Sequence, residues 1–211
     1  MKIILLFKII IFLVFFFNNS FAAINNSIVA KIGDKIITSL DIENEIKTIL
    51  IISKQDLNQN NVERTKRYAV QSLIRTSLKK GEIEKYNITL YNETDLNLYL
   101  SNIAKNLNLE KKDLKNFFKA NDLNYEAFKE KYKTELLWNT LIFSLYKNQI
   151  TVNSIELERE LSKVLENNKN SSVNSEKIKE NIINKQKQDK LNLFSRSHYS
   201  TLENTVLVNF K

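Results

Sequence analysis

The apolar periodicity of residues 92–148 constrains this chain more than any other feature, because it admits helices and little else. Leu96, Leu100, Ile103, Ala104 and Leu107 recur at helical spacing, which places them on one face. Asn92 stands before them as a capping residue, with Asp95 near the positive helix end. A short second helix carries Leu114, Phe117 and Phe118. Asn121-Asp122 breaks it, and Asn124 opens a long third helix through Phe128, Tyr132, Leu136 and Tyr146. Composition agrees: no Pro and two Gly in 211 residues, with 43% hydrophobic side chains, suit a mainly helical protein better than a loop-rich β-sandwich.

Ahead of this block, Ile28-Val-Ala-Lys-Ile32 and Lys35-Ile-Ile37 read as short strands around a Gly33-Asp34 turn. Thr38 and Asp41 have the spacing of a capping pair for a helix whose Ile42, Ile46, Ile49 and Leu50 line one side. After a polar loop at residues 56–61, a long helix is expected to reach Tyr86, with Val70, Leu73, Ile74 and Leu78 facing the core. Gly81 weakens that helix by roughly 1 kcal/mol relative to Ala. Asn87 is suited to a left-handed helix stop.

The first 22 residues have a short basic start, an apolar run over 9–17, and small residues before Ala22. They read as a signal peptide cleaved between Ala22 and Ala23. The alternative, an uncleaved anchor, is disfavoured because Lys8 interrupts the apolar stretch, leaving too little to cross a hydrocarbon core of about 30 Å. The net charge of +8 includes Lys2 and Lys8 of this leader. Elsewhere basic residues alternate with acidic ones, as in Glu126-Ala-Phe-Lys-Glu-Lys131. The excess therefore reads as compositional habit, not as a nucleic-acid or lipid footprint. No Cys is present, which removes disulfides, thiolate chemistry and Cys-based metal sites.

Beyond Tyr146, residues 150–154 form an extended link into a helix carrying Leu157, Leu161, Val164 and Leu165. Residues 166–175 are a polar, low-complexity linker. A helix over about residues 176–202 follows, and then Val206, Val208 and Phe210 alternate as on a strand with one buried face. The single His, His198, has no second His or Cys to work with, and reads as a surface or helix-end residue.

The wording Ser101-Asn-Ile-Ala-Lys-Asn106, followed by Asp122-Leu-Asn-Tyr-Glu-Ala-Phe-Lys129, resembles the SurA N-terminal domain family of periplasmic chaperones for outer-membrane proteins. The resemblance covers residues 28 to about 165 and, more weakly, 187–211. Family members usually carry a Ser-Asp pair where this chain has Ser39-Leu40-Asp41, and a Gly where it has Asn87. In such proteins one or two parvulin-like isomerase domains follow the Ile-Thr-Val step. Here the polar linker follows, and a parvulin domain needs about a hundred residues. The resemblance implies a mainly α fold: a multi-helix domain with a small β-sheet formed by the N-terminal hairpin and the C-terminal strand. The expected organisation is a signal peptide over 1–22, a helical chaperone domain over 23–165, a linker over 166–175, and a C-terminal helix and strand over 176–211 that pack back on the domain.

The function so implied is ATP-independent holding of unfolded outer-membrane protein polypeptides in the periplasm, through an apolar groove. No cofactor, metal or nucleic acid is expected, nor membrane insertion after leader removal. Gly33 and Gly81 alone cannot build a phosphate loop. Between Leu136 and Tyr146 the long helix is apolar on nearly every side. That pattern reads either as burial by several neighbours or as a groove wall through Leu137, Trp138, Leu141 and Leu145. Phe117 and Phe118 pose the same choice, and Phe118 joins the candidate client-binding set. Two other functions stay open: a residual peptidyl-prolyl isomerase, and an assembly subunit that oligomerises through its apolar faces.

Overall fold

The computed structural model describes residues 26–167 and 175–211. The expected signal peptide, its cleavage site at Ala22 and Ala23, and most of the expected linker lie outside the described residues. Among those described are α1 (Ser39–Ile52), α2 (Gln59–Lys85), α3 (Glu93–Asn106), α4 (Leu114–Ala120), α5 (Tyr125–Tyr146), α6 (Ser154–Asn167) and α7 (Ser175–Thr205). They are joined by a sheet of β1 (Ile28–Ile32), β2 (Lys35–Thr38) and β3 (Val208–Phe210).

Helix starts are written in side chains. Thr38 and Asp41 form a reciprocal box: Asp41 N donates to Thr38 Oγ1 at 3.2 Å, and Thr38 N to Asp41 Oδ2 at 2.8 Å. This satisfies backbone donors that the first helical turn leaves unpaired. Asn58, Asn92 and Asn124 cap α2, α3 and α5 through their amide oxygens. Helix stops are equally local. Lys54, Asn87, Asn108 and Asp122 lie at φ of 55, 53, 61 and 54° just past α1, α2, α3 and α4. Behind each, the next residue donates back into the last turn, as Ile88 N does to Ile83 O at 3.1 Å and Leu123 N to Phe118 O at 2.9 Å. These are left-handed stops that usually take glycine, made here by a chain with two of them. One, Gly33, is spent at φ +53° in the hairpin turn.

The sheet order is β2-β1-β3, antiparallel throughout, with Ile32 opposite both Lys35 and Val208. Both chain ends thus meet in one sheet, as expected. The terminal strand is shorter than its alternation suggests, because α7 continues to Thr205 and Val206 N still bonds Leu202 O. Phe210, expected on a buried face, is 64% exposed at the open edge.

Three packed clusters hold the helices. The first joins Ala30, Ile32 and Ile37 of the sheet to Ile42, Ile46 and Leu50 of α1 and to Ala69 and Leu78 of α2. The second joins Leu96, Leu100 and Ala104 of α3 to Leu114, Phe118, Leu123 and Phe128. The third places α5 (Leu137, Trp138, Leu141, Ile142) against Ile83 of α2 and Leu202 of α7. Each large apolar side chain so enclosed contributes about 1.5–3 kcal/mol. Helix α5 enters the second and third clusters, which explains why it is apolar nearly all round. Helix α6 packs on α7.

Candidate functional site

Where the first cluster faces the second, the chain leaves a cleft. Its walls are α1 and α2 on one side and the first half of α5 on the other. Two adjoining cavities, about 260 Å³ and about 450 Å³, share Thr48, Thr76, Phe128 and Lys131 as lining residues and so form one trough. The first reaches Ile36 and Ile37 of β2, and the second reaches Ile52 of α1 and Tyr99 of α3. Its lining alternates apolar faces (Ile49, Leu73, Phe128) with hydroxyls and amides (Asn44, Thr48, Thr76). That mixture suits a polypeptide, which brings both apolar side chains and hydrogen-bonding backbone.

Two ion pairs tie the walls together. Lys131 of α5 reaches Glu45 of α1, and Glu135 of α5 reaches Lys79 of α2. Glu45 and Lys79 are buried, so each needs its partner: an uncompensated buried charge costs about 3–5 kcal/mol. The Lys79 ammonium also lies 5.3 Å from the centre of the Trp138 ring. At the far end of the trough the Tyr99 and Tyr132 rings stack with centroids 3.5 Å apart. Burial, reinforced by the neighbouring Tyr132 and Glu45, pushes the Tyr99 phenol up, so both rings act as neutral surfaces at neutral pH.

The residues singled out from sequence do not line this cleft. Phe118, Trp138 and Leu141 are at most 1% exposed and Leu137 is 8% exposed. Leu145 is half-buried against the third cluster. Phe118 is enclosed within the second cluster, while α7 lies over the second half of α5 and brings Leu191, Phe194 and Leu202 against it. Trp138 Nε1 even donates to Ser195 Oγ of α7 at 2.8 Å. Of the phenylalanine pair, Phe118 is wholly enclosed while Phe117 is the partly exposed one.

His198 also differs from its expected place. It lies inside α7 with its side chain 15% exposed, Nδ1 at 2.9 Å from the Tyr146 hydroxyl and Nε2 at 3.2 Å from Glu82 Oε1. A carboxylate only accepts, so Nε2 carries a proton toward Glu82, and the Tyr146 hydroxyl closes the network at Nδ1. This network joins α2, α5 and α7 and does not line the cleft. The cleft residues themselves carried no distinct sequence signal, beyond polar Asn44 and Thr48 among the isoleucines of α1.

The family model described as SurA-like N-terminal domain matches residues 1–142, well over half of the chain. This chain belongs to the SurA-like N-terminal domain family. A solved chain from Campylobacter jejuni, from work on the virulence factor PEB4 and the periplasmic protein Cj1289 as SurA-like chaperones, is similar at 12% identity. That match covers 88% of this chain and 99% of the other, with a TM-score of 0.43. No curated protein sequence matches. For this SurA-like chain no catalytic or parvulin-type domain is evident among the described residues. Nor do they include a helix long and apolar enough to cross a membrane, or a cluster of three His, Cys, Asp or Glu residues able to hold a metal.

Proposed function

We propose that this protein is an ATP-independent periplasmic chaperone that holds unfolded outer-membrane protein precursors, and that the trough between α1, α2 and α5 receives them. Family membership supports a periplasmic chaperone role in general. The observation that carries the finer reading is the continuous cleft, lined by both apolar side chains and hydroxyls, between α1 and α2 on one side and α5 on the other. Unfolded barrel strands alternate apolar and polar residues and expose unpaired backbone groups. A trough of this lining shelters both without reading one sequence.

The test is light scattering while a urea-unfolded barrel protein is diluted into buffer with the purified mature chain. Stoichiometric suppression of aggregation is expected. A folded chain that suppresses nothing would remove this function. A residual isomerase finds little support, since His198 is enclosed by Trp138, Tyr146 and Glu82.

A further inference from the structure

The first cavity touches both Ile36 and Ile37, whose side chains point to opposite faces of the sheet. Only the edge of β2 is within reach of both, so the trough opens on that edge. β2 is an outer strand. Its hairpin pairs Ile32 with Lys35 and Lys31 with Ile36. Hydrogen-bonded and non-bonded pairs alternate along an antiparallel ladder, and the pair flanking a two-residue turn is bonded. The N–H and C=O of Ile36 therefore point away from β1, toward the open edge, and Ile36 itself is 50% exposed. Further along, where the two cavities join, Thr48 is 9% exposed. It lines both cavities, so its hydroxyl is within reach of a bound segment.

We infer that an unfolded client binds here by strand addition: an extended segment pairs with the Ile36 backbone as a further strand beside β2 and continues into the trough, where a backbone amide meets the Thr48 hydroxyl. This deepens the chaperone reading and rests on it. On α1 the trough runs from Asp41 to Ser53, about 18 Å at helical rise, which spans about five or six extended residues. Main-chain pairing explains how one site could take many sequences, because every residue offers the same donor and acceptor.

The test uses the whole mature chain and a fluorescein-labelled, lysine-capped Thr-Val repeat peptide of about ten residues, long enough to span the trough. Anisotropy gives its affinity. Thr48→Val and Ile36→Pro should each weaken binding roughly three- to tenfold, the worth of one hydrogen bond. Proline is tolerated on an outer strand whose N–H faces outward, and circular dichroism checks that the variants fold. A peptide methylated on alternate backbone nitrogens needs no protein variant. It should lose binding in one methylation register and keep it in the other. Unchanged affinity in all three arms, or no peptide binding at all, overturns strand addition. If aggregation is still suppressed in that case, the chaperone reading survives alone; if suppression fails too, both fall. Concentration-dependent sedimentation that Ile36→Pro abolishes would assign the edge to a second copy, and would also overturn the proposal.

Discussion

Trp138 and Ser195, 57 residues apart, meet in a 2.8 Å hydrogen bond from indole nitrogen to hydroxyl oxygen. The bond fastens α7 across α5 at the place where α5 is most apolar. Leu137, Trp138 and Leu141 are core there, packed between Ile83 of α2 and Leu202 of α7. Trp138 is the chain's single tryptophan, so its emission reports this docking directly.

Ser195→Ala should leave the indole N–H enclosed without a partner. The expected loss is about 1–3 kcal/mol, read from denaturant unfolding followed by tryptophan fluorescence. A loss below a few tenths would mean that α7 is not held as described.

The two adjacent phenylalanines give a sharp contrast. Phe118→Ala empties a fully enclosed site in the second cluster, and a loss of about 3–5 kcal/mol is expected. Phe117→Ala, on the partly exposed side, should cost about 1 kcal/mol or less. Equal effects in thermal melts would contradict the packing of α4.

Lys54 holds a left-handed conformation after α1, where a side chain is penalised. Lys54→Gly should raise stability by roughly 0.5–1 kcal/mol, the left-handed penalty less the extra unfolded-state entropy of glycine. Asn87→Gly should gain less, because asparagine tolerates that region. Melting temperatures of the two variants, compared with the parent, decide the matter.

Tyr199 sets a limit at alkaline pH. Burial first, then its 2.9 Å hydrogen bond to Glu203 and that residue's charge, push the phenol up from 10.0 to about 12, with Arg75 opposing. A raised folded-state value favours the protonated form. The resulting stability is complete below pH 10 and is lost as pH climbs toward about 12. In Tyr199→Phe this part of the alkaline decline should be absent, as denaturant melts across that window would reveal.

Most of the helices were legible because their signals are short-range. The Thr38–Asp41 box, the caps at Asn92 and Asn124 and the left-handed stop at Asn87 each act within one turn. The pairing of the chain ends was also legible, through the resemblance and the alternation in the tail. The candidate site was not. Periodicity identifies an apolar face without saying what covers it. The pattern of Leu137 through Leu145 favoured a core and still left a groove open until α7 was placed over them. His198 was misjudged for the same reason: Tyr146, Glu82 and Trp138 reach it from other helices.

What the amino acids settled alone was where most helices begin and stop, since capping and left-handed stops depend on neighbours a few positions away. Tertiary structure decided which apolar faces became interior and where a cleft was left. Those outcomes depend on contacts such as Lys131 with Glu45, 86 residues apart, and the free energy of such a contact exists only once distant helices have met.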